Sequence, residues 1–321
     1  MKRTFLNKKI LGLLVVFFAA VVLGLLKGSV DISFKDLFLE QNRTILFLRL
    51  LRVVLCIMAG SGLAVSGIVL QAILRNPLAE PYLLGTSSGA GLGAAVAVIW
   101  GFSAICFPIA AFTGAILSVL LVYAIARQGR KVPAQSLILS GVIVSIALSG
   151  IIVFLISVSG SKALHGLTWW LWGSLEVYDV TLLEIVSVIV LAGIIAVYCF
   201  SQDLNAMSIG EEEAVHLGVN IEVLKKILFL IISLITASLV SVCGVIGFVG
   251  LIIPHLMRFF VGPNHKILIP CSCIGAAAFM VLCDTLSRTL FAPLEIPIGV
   301  ITAVLGAPMF IVLLKREQEV K

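Results

Sequence analysis

The chain has 321 residues, 61% of them hydrophobic and 12% charged, with a formal net charge of +6 and a mean hydropathy of +1.21. Soluble domains carry roughly 25% charged residues, so one water-exposed globule is excluded and the chain reads as an all-α, polytopic membrane protein. Residues 1–321 form a single membrane domain on this reading, and the basic surplus is a topology signal rather than a nucleic-acid footprint.

A helix needs about 20 apolar residues to cross roughly 30 Å of hydrocarbon. Apolar windows at 10–26, 50–73, 83–100, 104–126, 134–158, 181–200, 227–246, 250–261, 267–287 and 297–314 predict about ten spans. The first, "ILGLLVVFFAAVVLGLL", follows the basic "MKRTFLNKK" and lacks a well-placed small-x-small site, so it reads as an uncleaved helix. The eighth is short and contains Pro254. Alternating the spans puts Lys27, Lys35, Arg43, Arg49, Arg52, Lys162 and Arg288 on one side and the other fifteen of the 22 basic residues, Arg130 and Lys321 among them, on the side of the termini. Basic residues favour the cytoplasm, which predicts both termini inside.

Taken in order, "RLLR" sets Arg49 and Arg52 three apart on one helix face before the second span. With Arg288 they share the predicted outer side, where they suit the carboxylates of an external partner. From Leu74, "LRNPLAEPYLLGTSSGAGLG" interrupts the apolar pattern. Asn76 and Pro77 end one helix, because the residue before proline is pushed out of helical geometry. Gly85, Gly89, Gly91 and Gly93 then allow neighbouring backbones to approach closely. On the outer side, Trp169, Trp170, Trp172 and Tyr178 read as an interfacial aromatic belt. On the inner side, "LNAMSIGEEEAVHLGVN" holds Ser208 three residues before Glu211, a capping-box spacing. Glu211, Glu212 and Glu213 suit a helix N-terminus, and Gly218 suits a left-handed stop. A short helix of about two turns over 208–218 is predicted, placed to dock a cytosolic partner. A second interruption, "GVIGFVGLIIPHLMRFFVGPN" at 244–264, occupies the matching place in the second half of the chain. Paired interruptions of this kind point to an internally repeated transporter.

Catalytic apparatus is missing from the sequence. There is no Gly-Lys-Ser/Thr, HExxH, paired CxxC or GxSxG. Cys271 and Cys273 read as small packing residues, and His255 as a packing or hydrogen-bonding group rather than a ligand. No spaced Asp/Glu/His chain suggests a proton relay. Neither a cofactor nor a metal site is expected.

Four stretches together resemble the permeases of the ferric-siderophore, haem and cobalamin ABC importers. They are "RLLRVVLCIMAGSGLAVSGIVLQAILRNPLAEPYLLGTSSGAGLG", "LNAMSIGEEEAVHLGV", "GVIGFVGLIIPHLMRFFVGPNHKILIPCSCIGA" and "EIPIGVITAVLGAPMFIVLLKR", in the family's order and over nearly the whole chain. Leu51 stands where the family usually has a proline between its two arginines. The resemblance implies a ten-span subunit in a bacterial or archaeal cytoplasmic membrane. It implies pairing with an identical or homologous permease above cytosolic ATP-binding subunits, with an extracytoplasmic binding protein delivering the cargo. It assigns docking of that protein to Arg49, Arg52 and Arg288. ATPase coupling falls to a segment at about 203–220 that includes Ser208, Gly210, Glu211, Glu212, Leu217 and Gly218. Asn76, Pro77 and the four glycines fall beside the translocation path. A stand-alone ion-coupled transporter is the alternative, and it needs charged or broken-helix ion sites within the membrane.

Overall fold

In the computed structural model, residues 2–29, 40–103, 105–129, 131–159, 161–177 and 179–319 are described. Lys35, Arg130, Tyr178 and Lys321 lie outside them. Thirteen α-helices account for most of the described chain: α1 (Lys2–Leu26), α2 (Arg43–Leu74), α3 (Thr86–Ile99), α4 (Cys106–Ala126), α5 (Ala134–Val158), α6 (Ser161–Leu171), α7 (Val180–Cys199), α8 (Ser201–Ile209), α9 (Glu211–His216), α10 (Ile221–Cys243), α11 (Val249–Val261), α12 (His265–Thr289) and α13 (Ile298–Glu319).

Each of the ten apolar windows coincides with one of these helices. Seven helices are long and apolar enough to cross a bilayer, and the shorter apolar stretches are Thr86–Ile99, Val249–Val261 and Ile298–Val312. The first two begin inside the interrupted segments. Before α3 the chain makes a 3-10 turn at Pro81–Leu84, and before α11 it runs without helix from Gly244 to Phe248. Thirteen or fourteen residues rise only about 20 Å, so the non-helical residues supply the remaining depth. Such backbone survives at membrane depth only when protein or a water-filled cavity covers it.

Burial sorts the helices. From Ala59 to Leu74 every residue of α2 is buried, whereas α1, α5 and α7 expose most of their apolar side chains, as lipid-facing helices do. Lipid is as apolar as leucine, so association relies on close packing and polar contacts rather than on water exclusion. Small residues provide the closeness. Gly60 of α2 lies against the Ala276 backbone of α12, and Gly67 lies so near the Gly250 carbonyl that a Cβ has no room. Cation-bearing ends also separate. Arg49, Arg52 and Arg288 gather at the N-terminal end of α2. Arg75, Lys225, Lys226 and Arg258 gather at its C-terminal end, where Lys9 of α1 also meets the C-terminal turn of α11 through the Phe260 carbonyl.

Candidate functional site

The two interrupted segments, far apart in sequence, meet face to face. Gly67, seven residues or about 10 Å of rise from the end of α2, is the crossing point with Gly250. Around it the first segment supplies side chains to the second. The Glu80 carboxylate accepts a hydrogen bond from Phe248 N (2.9 Å), and the Tyr82 hydroxyl accepts one from Ile246 N (3.1 Å). Both N–H groups lie in the non-helical run before α11, where backbone donors have no helical partner. A remote part of the chain therefore satisfies the entry to the half-helix. Gln71 completes the contact, its Nε2 lying 3.3 Å from the carbonyls of Ala79 and Gly250, while its Oε1 accepts from Arg258. Phe248 has φ +70°, a left-handed conformation costly for a residue with a side chain. Sequence reading singled out both segments but neither Glu80 nor Gln71. The signal was an ionisable residue inside an interrupted apolar stretch, a functional marker in its own right.

Below the crossing a cavity of about 600 Å³ opens at the C-terminal end of α2. Gln71 of α2 and Arg75, Asn76 and Pro77 of the first interruption line it, with His255 and Arg258 from the second and Ser208 and Ile209 from α8. Asn76 and Pro77 do end α2: Arg75 takes a left-handed φ of +48° at its C-cap, and the Asn76 side chain accepts from Leu78 N. The glycines of α3 pack within the subunit. Gly85, at φ +76°, turns the chain into α3, Gly89 and Gly93 abut backbone of α4 at Gly114 and Ala110, and Gly91 faces Ile152 and Leu171.

The polar α8–α9 segment departs from its sequence reading in one respect. Ser208 is not an N-cap. It sits inside α8, and its hydroxyl donates to the Leu204 carbonyl four residues back (2.8 Å), as serines inside helices often do. The break comes two residues later, at Gly210, which caps α9 in extended geometry. Glu213, third in α9, folds its carboxylate back over Gly210. Two short helices therefore replace the single one predicted, because buried Leu204 and Met207 hold the chain helical through Ser208. Gly218 matches its expectation, with φ +86° and bonds from Gly218 N to Val215 O and from Val219 N to Ala214 O that close a left-handed stop. Glu211 pairs with Lys225 of α10 (2.8 Å). Ile209, Val215 and Leu217 project as exposed apolar side chains on this otherwise polar segment, with exposures of 72%, 58% and 67%.

At the opposite end the three arginines converge. Arg52 binds Asp284 (2.7 Å) and Glu295 (2.9 Å), and Arg288 binds Asp284 (2.8 Å). Arg49 donates to the carbonyls of Leu25 and Leu26, and Arg288 to those of Gly24 and Lys27. The guanidiniums thus satisfy the terminal carbonyls of α1, at the negative end of its dipole. Asp284 is fully buried and bridges two of the arginines. Arg52, at 14% side-chain exposure, reaches the surface more than Arg288, at 4%.

The FecCD transport family matches residues 13–316. A cobalamin import system permease protein of Halobacterium salinarum is 40% identical over 85% of this chain and 73% of its own length. A hemin transport system permease protein of Yersinia pestis is 34% identical over 96% of each chain. Among solved structures, an inward-facing metal-chelate type ABC transporter superposes with a TM-score of 0.87 at 33% identity, covering 97% of this chain and 99% of that one. With ten apolar helices among the described residues, two interrupted segments meeting at the core and kinship along nearly its full length, the chain belongs to the FecCD transport family as a membrane-spanning permease of the ABC-importer type.

Proposed function

We propose that this permease pairs with an identical or homologous copy in the cytoplasmic membrane of a bacterium or archaeon and passes an iron chelate, haem or cobalamin inward. Cytosolic ATP-binding subunits supply the energy. Both termini face the cytoplasm, in keeping with the basic residues gathered at the C-terminal end of α2. The observation that carries the reading is the α8–α9 segment. Two short helices joined at Gly210 and closed by Gly218 present Ile209, Val215 and Leu217 to water at a polar end. Exposed apolar groups in such a setting mark a docking surface. The arginine face receives the extracytoplasmic binding protein, Arg52 touching its carboxylates while Arg49 ties Arg52's helix to α1 and Arg288 ties α12 to α1.

The test is co-purification with the ATPase and the binding protein from the same operon. Leu217→Asp is expected to lose the ATPase and retain the binding protein; Arg52→Gln is expected to do the reverse, most clearly at low salt, since rim charges are screened by ions. Retention of both partners by both variants would falsify the assignment of these two faces.

A further inference from the structure

The arginine face carries an acid of its own. Arg52 of α2 stands between two carboxylates held in different ways. Asp284 is fully buried and accepts a hydrogen bond from Nε (2.7 Å). Glu295, in the loop between α12 and α13, meets Nη2 as an ion pair (2.9 Å), with its side chain 30% exposed. Nη1 makes no hydrogen bond among the described residues. The end-on edge of the guanidinium, Nη1 beside Nη2, is a bidentate carboxylate site that is only half taken. The backbone beside Glu295 is fixed. Ile296 N donates to the Ser287 carbonyl of α12 (3.1 Å), and the Ile296 carbonyl accepts from the Ser287 hydroxyl. Two residues on, Ile298 N and Gly299 N donate to the carbonyls of Gly173 and Trp172. Glu295 can thus leave Arg52 by side-chain rotation alone, with the loop in place. A cleft of about 180 Å³ opens beside the pair, lined by Arg52, Glu295, Trp169, Ser174, Glu176 and Ser287 among others. It is smaller than the roughly 300–1,000 Å³ of small-molecule sites and has room for a single inserted side chain.

We propose that Glu295 is an internal stand-in for a carboxylate of the binding protein, and that docking is an exchange at Arg52. The incoming acidic side chain enters the cleft and pairs with Nη1 and Nη2 together, Glu295 rotates out to water, and Asp284 stays on Nε. This rests on the reading above that Arg52 meets the binding protein. Two carboxylates on one nitrogen repel each other, so one must go, and the exposed one leaves at less cost than the buried one. Between docking events Glu295 keeps the guanidinium paired, at a position where partial burial makes a lone charge costly. It also sets a threshold. A lone anion gains little by replacing one carboxylate with another, whereas a protein that adds contacts around the pair gains more. Phe291 and Leu294, exposed on the same loop, are placed to supply such contacts.

The affinity of the binding protein from the same operon is measured for the permease–ATPase complex in nanodiscs, at low salt. Arg52→Gln is expected to weaken it. Glu295→Gln keeps the shape, removes the competitor and is expected to tighten binding about fivefold, the scale of one surface ion pair. Glu176→Gln removes a charge from the same cleft but outside the ion pairs of Arg52, and it is expected to change affinity less than about twofold. The gain from Glu295→Gln is expected to vanish when Arg52 is also replaced by Gln, because the two act through one contact. Each variant is expected to elute like the wild type on size exclusion. Equal gains from Glu176→Gln and Glu295→Gln, or a gain that survives in the Arg52→Gln background, mean a general effect of charge and overturn the exchange. Binding by Glu295→Gln no tighter than wild type, or failure of that variant to fold, overturns it too and makes the pair a fixed brace. In each of these cases weaker binding by Arg52→Gln leaves the docking reading standing. Wild-type binding by Arg52→Gln removes the docking reading and the exchange with it.

Discussion

Asp284 has no exposure, yet it sits between the guanidiniums of Arg52 and Arg288. Burying charges is costly, and one member of such a group is far harder to remove than the whole. Asp284→Asn keeps the shape and removes the charge, leaving Arg288 uncompensated. A loss of about 3–5 kcal/mol is expected, read as an earlier loss of the folded peak when the detergent-solubilised protein is heated before size exclusion. Unchanged thermal stability would show that the carbonyls of α1 satisfy the arginines unaided. The arginines were legible in the sequence because cations on the poorly basic side stand out. Asp284 was legible only as a neighbour of Arg288 one helical turn away. That it also reaches Arg52, 232 positions distant, is a fact of packing between α2 and α12 that no local pattern carries.

Among elements, the spans were the easiest part to read, because length and apolarity alone decide them. The interrupted segments were legible as interruptions, through their Gly and Pro content. Their mutual contact was not, since Gln71 and Glu80 bond to backbone atoms of residues 248–251 and backbone atoms look alike in any sequence. The α8–α9 segment shows the opposite limit. A local motif, Ser208 followed by Glu211, was correct in spacing and displaced by two residues, because tertiary burial of Leu204 and Met207 overrides a cap. Two substitutions separate the cases. Ser208→Ala removes only a bond to the preceding turn, and its effect on stability is expected to stay within about 0.5 kcal/mol. Gly218→Val forces a β-branched residue to a φ of +86° and is expected to cost about 1–2 kcal/mol. Hydrogen exchange of the α9 amides in nanodiscs distinguishes them, fast only in Gly218→Val. Equal protection in the two variants would mean that α9 is held by its neighbours and not by its stop.

At the scale of the molecule, α2 runs for 32 residues, about 48 Å, and it joins the arginine cluster to the crossing of the interrupted segments. Arg49 and Arg52 stand near its start, the crossing lies near its end, and the cavity lined by Arg75 and Arg258 opens at its tip. Around it α5 and α7 contribute mostly apolar surface. Because α2 enters the membrane early, its polar partners reach it late. The Gln71 side chain waits for carbonyls 179 and 180 positions downstream. At about 5–20 residues per second of synthesis, that interval is about 10–35 s. Throughout it, Gln71, Glu80 and Tyr82 face an unfinished bundle. The nascent protein therefore passes through a long-lived intermediate with unsatisfied polar groups in the bilayer, and its biogenesis depends on something shielding them. Chains released before residue 244 are expected to be cleared by membrane proteases within minutes, whereas chains extended past 262, with α11 in place, persist. Pulse-chase labelling of the two truncations reads this directly, and equal lifetimes would mean that the half-built bundle protects itself.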